Sequence, residues 1–237
     1  MEAGHTEQEL REAFARIEVA VEGGNTDLAA LGFWRRVAQV KRDPTLVVRW
    51  AEQIGRIDRA AFEAAVSPRF PVWFGNLVML AEVAFGTGAI ALAAVSSGTV
   101  TGLGLIAGGV AWAISFHCLA HWVVGRMVGI RFTAYFLGGP FPRRPGLKID
   151  YESYLRASAM GRAVMHGSGA VATKLAPFLA LSAAPAYEAP GWSVIVLLVI
   201  GFGQIVTDVL FSVKTGDWKK VRRELAVARA LRTARDA

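Results

Sequence analysis

Four apolar blocks constrain this chain more than any other feature, because each is close to the ~20 residues an α-helix needs to cross a bilayer. They occupy residues 71–95, 103–124, 163–184 and 192–213. The links 96–102 and 185–191 contain no Lys or Arg. The link between the second and third blocks carries Arg126, Arg131, Arg143, Arg144, Lys148, Arg156 and Arg162. Arg69 precedes the first block, and Lys214, Lys219, Lys220, Arg222 and Arg223 follow the last. Short cytoplasmic loops concentrate Lys and Arg, so every loop fits one orientation, with both ends and the central loop inside.

The expected fold class is therefore an all-α integral membrane protein with four transmembrane helices. A cytoplasmic helical region (1–70) precedes a four-span membrane domain (71–213), and a basic amphipathic helix (214–237) follows it. The expected location is the cell (inner) membrane, multi-pass, with membrane lipid as the first partner. A formal charge of +7 would by itself suit nucleic acid, but the segregation of that charge into loops argues against such a partner. The first seventy residues are highly charged, so no cleavable signal peptide is expected to open the chain. The single cysteine, Cys118, excludes an internal disulfide.

In the N-terminal region Thr6 and Glu9 have capping-box spacing, and the helix they would open stops at Gly23-Gly24. A second helix is expected from about residue 27 to 42, breaking at Asp43-Pro44. Leu46, Trp50, Ile54, Ile57 and Phe62 then recur at helical spacing. The tail helix places Trp218, Val221, Leu225 and Leu231 on one face, to lie on the anionic inner leaflet or pack on the N-terminal helices.

An ionisable group inside a span costs a few kcal/mol or more, so each needs a partner or a task. His117 and His121 lie in the second block, His166 and Lys174 in the third, Asp208 in the fourth and Glu82 in the first. At 1.5 Å per residue from the nearest charged end, His117, His121, His166 and Asp208 fall in one layer about 6–14 Å deep. Glu82 and Lys174 fall nearer the bilayer centre, as an expected ion pair. Residues four apart share a helix face, so His117 and His121 can hold one ion. Asp208 is the expected carboxylate, since two imidazoles, one carboxylate and a water make a tetrahedral zinc shell. The competing reading has the histidines bonded to backbone carbonyls or neighbouring side chains, with Asp208 a structural acceptor.

On these residues the chain resembles the site-2 protease family of intramembrane zinc metalloproteases, whose helix motif is His-Glu-x-x-His. The matching stretch is His117-Cys118-Leu119-Ala120-His121, followed by Gly125, Gly129 and the run Tyr135-Phe136-Leu137-Gly138-Gly139-Pro140. Gly167-Ser168-Gly169-Ala170-Val171-Ala172-Thr173 is similar to the family's small-residue element, and Asp208 stands where a later helix supplies the third ligand. The resemblance implies a zinc cofactor and membrane-embedded peptides as substrates. It also implies that Phe132, Thr133, Ala134, Tyr135 and Phe136, with Thr173, receive the peptide, the extended segment 132–137 doing so by strand addition. That segment reads equally as an interfacial stretch anchored by Tyr135 and Phe136.

Three positions depart from the family pattern. Cys118 replaces the Glu that activates water, Thr173 replaces an Asn, and Val209 replaces the Gly after the ligand Asp. A replacement base would have to come from Glu82 or His166; Cys118, shorter and in apolar surroundings, suits packing better. Alternatives are a non-proteolytic pseudoprotease that binds membrane partner proteins, and a haem or redox-metal protein recruiting His166. A transporter with the polar layer as its ion path is a weaker fit, since no internal repeat is seen.

Overall fold

The structure is a computed structural model, and it describes residues 2–138, 144–212 and 216–236. Gly139, Pro140, Arg143, Val213 and Lys214, which figured in the sequence reading, lie outside the described residues. The chain divides into two compact units, one of residues 1–70, 129–159 and 225–237, the other of residues 71–128 and 160–224.

In the first unit, α1 (Glu2–Glu22), α2 (Phe33–Val40) and α3 (Pro44–Ala65) enclose a core of Leu10, Phe14, Phe33, Trp50, Ile54 and Ile57. Helix α1 begins at Glu2, upstream of Thr6, so Thr6 and Glu9 lie within the helix and do not cap it. It does end ahead of Gly23-Gly24, where Gly24 takes φ +91°. Helix α2 starts later than residue 27 because Gly32 sits in the left-handed region at φ +72°, which interrupts the helical path. Asp43-Pro44 both closes that segment and opens the next. The Asp43 carboxylate accepts from Thr45 N–H at 2.8 Å, with Pro44 in the first turn where its missing N–H costs nothing.

The same unit holds a small antiparallel sheet, which the all-α expectation did not include. β1 (Arg69–Phe70), β2 (Phe132–Gly138) and β3 (Arg144–Ile149) run in that order, with β2 in the middle. The extended segment read from residues 132–137 is β2, irregular between Phe132 and Ala134. Phe136 packs edge-on against Phe62 of α3 with ring centroids 5.2 Å apart. Helix α6 (Tyr151–Arg156) follows, capped by Asp150, which is 3% exposed and accepts from Ser153 N–H, Arg59 and Arg131.

The second unit is built from α4 (Val72–Ala94), α5 (Thr99–Met127), α7 (Ala159–Ser182) and α8 (Gly191–Thr207). A π-helical turn (Asp208–Ser212) extends α8, and α9 (Asp217–Asp236) begins here. Helices α4 and α5 approach through small residues: a Cβ at Gly104 would lie 2.7 Å from Ala89 O, and one at Gly108 would lie 2.8 Å from Gly86 O. Close approach at small residues is how helices associate where burial of apolar surface supplies little drive. Three helical segments, Val72–Ala94, Thr99–Met127 and Gly191–Leu210, are long and apolar enough to cross a membrane. Their outward residues are large and apolar, among them Leu77, Phe85, Val199 and Phe202. The third block, 163–184, falls in α7, a 24-residue helix that carries Arg162, His166 and Lys174.

Candidate metal centre

Helix α7 presents Met165, Gly169 and Thr173 at intervals of four residues, and α5 presents His117 and His121 at the same interval. Residues so spaced share one helix face, so two ladders meet along their lengths. His121 Nδ1 lies 2.7 Å from the Met165 carbonyl oxygen. A carbonyl only accepts, so the Nδ1 proton of His121 is committed there. His117 Nδ1 lies 2.9 Å from Thr173 Oγ1, and that hydroxyl donates to Gly169 O at 2.8 Å. The hydroxyl has one proton and has already given it, so it accepts from His117 Nδ1–H. This network assigns both tautomers and turns both Nε2 lone pairs the other way.

What those lone pairs meet is a carboxylate. Asp217 Oδ2 lies 3.3 Å from His121 Nε2 and 3.6 Å from His117 Nε2. The three ligand atoms fall within 4.8 Å of one another. Ligands held at about 2.0–2.1 Å around a tetrahedral ion stand roughly 3.3 Å apart, so the spacing suits a single small cation. Without a cation, the contact forces an imidazole to take a second proton or leaves acceptors facing acceptors. Asp217 has an ammonium beside it, that of Lys220, which favours its charged form. Lys220 takes Oδ1 at 3.0 Å, which leaves Oδ2 for the imidazoles. The group His117, His121 and Asp217 can therefore hold a metal ion.

Gly169 is there for space. A Cβ on it would overlap the His121 ring at Nε2, Cδ2 and Cε1, so the backbone of α7 reaches the imidazole only because this residue has none. The small-residue stretch 167–173 thus has a definite task beside the histidine pair.

The carboxylate is not the expected one. Asp208 does not join the group; its Oδ2 is held by the Lys174 ammonium and by Trp218 Nε1–H at 2.8 Å. Depth along the last span had singled out Asp208, but depth does not report which way a side chain faces. The carboxylate that reaches the imidazoles comes instead from the first turn of α9. The ion pair read between Glu82 and Lys174 is likewise replaced by the one between Lys174 and Asp208. Among the described residues Glu82 has no hydrogen-bonding or ion-pairing partner; it lies within electrostatic reach of Cys118, which is 2% exposed. His166 is buried at 4% exposure, its ring centroid 6.4 Å from that of His121. Thr173 serves as the acceptor for His117. Phe132, Thr133, Ala134, Tyr135 and Phe136 belong to β2 of the other unit, where Tyr135 and Phe136 already pair with β1.

Trp218 and Val221 of the tail helix fall in the second unit and Leu225 and Leu231 in the first, and Val221 is buried. One turn on, Glu224 is fully buried and accepts from Arg162 Nε at 2.6 Å. No family model, curated protein or solved structure matches this chain.

Proposed function

We propose that this chain is an intramembrane zinc protein of site-2 protease type, acting on membrane-embedded peptides with an altered catalytic base. The observation that carries the reading is the convergence of two imidazole Nε2 atoms and one carboxylate oxygen while both Nδ1 protons are spent elsewhere. Two histidines and one carboxylate with a further position left for water is a catalytic zinc set. When bound, zinc would supply a water acidified to near neutrality.

The chain's own residues hold the imidazoles in their tautomers through Met165 and Thr173 and keep the carboxylate ionised through Lys220. The proton acceptor that Cys118 cannot provide is drawn from Glu82, on the neighbouring span and within electrostatic reach of residue 118, or from His166. In this reading α7 is a fourth span, its polar groups turned onto the centre and onto Glu224, and both termini with residues 125–162 face the cytoplasm beneath the inner membrane. The peptide is received along residues 132–136, which requires β1 to yield its place beside Tyr135 and Phe136. A haem is disfavoured, because the two Nε2 atoms converge on one carboxylate and do not oppose one another across a plane.

Metal analysis of the full-length protein purified in detergent tests the centre. One equivalent of zinc is expected in the wild type, with none retained by His117→Ala, His121→Ala or Asp217→Ala. Full metal content in all three variants sinks the reading. Iron in place of zinc would redirect it, since two histidines and one carboxylate also form the non-haem iron triad. Cleavage of a membrane-embedded peptide by the wild type supports the altered base, whereas cleavage only after Cys118→Glu marks the native chain as a pseudoprotease that binds membrane partners.

A further inference from the structure

Lys174 and Asp208, out of their expected roles, form with Trp218 a group joined to the centre at both ends. Lys174 follows Thr173, which orients His117; Trp218 follows Asp217, which faces both imidazoles. Asp208 ties the two together, accepting from the Lys174 ammonium and from Trp218 Nε1 at 2.8 Å. It stands at the first residue of the π-helical turn at the end of α8, a local widening that re-aims side chains and recurs at functional sites.

We propose that Asp208 is a positioning residue for the metal centre, clamping Trp218 against Lys174 so that Asp217 Oδ2 is held toward the two imidazoles. The inference rests on the metal-centre reading above. Asp217 lies in the first turn of α9, so wherever Trp218 is anchored, the adjoining carboxylate is carried with it. Lys220 holds only the far oxygen, Oδ1, and turns the carboxylate without fixing where α9 begins. Asp208 also neutralises Lys174, whose ammonium would otherwise stand uncompensated beside the residue that orients His117 and disfavour a cation there. The two actions are separable. Trp218→Phe removes the anchoring N–H but leaves the ion pair, and Asp208→Asn leaves an acceptor for Trp218 but releases the ammonium.

The test uses full-length protein in detergent, stripped of metal and titrated with Co(II) against a competing chelator. Its visible d–d absorption reports the ligand geometry. Both variants are expected to reach one equivalent at saturation, with affinity lowered about 10–100-fold, as for other residues that orient ligands, and with a shifted d–d band. Asp217→Ala, which removes a ligand, is expected to lose stoichiometric binding. Unchanged affinity and spectrum in Trp218→Phe overturns the clamp, and this variant keeps an aromatic ring at the position, so the test stands even if Asp208→Asn fails to fold. Loss of stoichiometric binding in Asp208→Asn with an unaltered metal-free melt overturns it differently, by making Asp208 a ligand. A wild type that takes up no Co(II) would instead overturn the metal centre itself, an outcome distinct from both.

Discussion

Asp150 in the first unit is a buried carboxylate and Asp217 in the second a half-buried one, and their surroundings are opposites. Asp150 is saturated with donors: Ser153 N–H at 3.3 Å, Arg59 Nη2 at 2.7 Å and Arg131 Nε at 3.2 Å. Asp217 has Lys220 on one oxygen and two imidazole nitrogens on the other, and the Nδ1 protons of those rings are already given away. A buried carboxylate surrounded by donors is finished as a structural element, capping α6 and tying it to α3. A half-buried carboxylate that faces other acceptors is incomplete, and what completes it is a cation. The distinction turns on counting protons, because each group is by distance alone a paired acid.

The largest effect should come from exchanging the two roles. Asp217→Asn is expected to reduce metal affinity by at least two orders of magnitude, measured by chelator competition, while leaving the N-terminal unit intact. Asp150→Ala should do the reverse. Loss of the α6 cap and of the acceptor for the buried Ser153 N–H costs about 2 kcal/mol in unfolding, with metal content unchanged. Metal loss in Asp150→Ala would break the comparison.

How far this contrast was legible beforehand depends on the distance over which each feature is determined. His117 and His121 were readable because their relation is local: four residues on one helix place both rings on one face whatever surrounds them. The apolar blocks were readable for a similar reason, and three of them match the helices long and apolar enough to cross a membrane. Asp217 was not readable, because it meets His121 across 96 positions of chain and only after α8 ends in a widened turn. Spacing within a block gave Asp208 a depth and no direction. Of the sheet only β2 was read, as the extended segment 132–137; β1 is two residues long, too short for alternation to register. Gly169 was noticed as one small residue among several, and only the position of His121 shows which of them is indispensable.

That residue sharpens the comparison at a smaller scale. Gly169→Ala adds one methyl group and would ordinarily favour a helix by up to about 1 kcal/mol. Here the methyl overlaps the His121 ring, so the imidazole must leave the position set by Met165. Metal affinity is expected to fall about 10–100-fold, with the Co(II) spectrum altered. Ser168→Ala, one residue away on the same helix, gives up only a bond to Met165 O and serves as the control. Equal affinities for the two variants would mean that α7 does not hold His121.

The smallest effect is the pH dependence of the donor-saturated carboxylate, Asp150. Burial pushes the Asp150 carboxyl up, but its bonds to Ser153, Arg59 and Arg131 prevail and hold it below the usual range. The unfolded chain therefore takes up this proton at a higher pH than the folded one. The resulting stabilisation is complete above the ordinary carboxylate pKa of about 3.9 and is lost as pH falls from there through the folded value. Asp58 works in the opposite sense: burial outweighs the Lys148 ammonium and raises its carboxyl, so its contribution is present in acid and fades as pH rises through the folded value. Because the two oppose each other, wild-type acid stability alone does not identify either. Asp150→Asn keeps the cap acceptor and removes the titration. Amide exchange over residues 150–156, corrected for intrinsic rates, should show protection falling as pH drops below about 3.9 in the wild type and nearly level in the variant. A parallel fall in both would assign the acid sensitivity to another group and leave Asp150 a cap whose charge is immaterial.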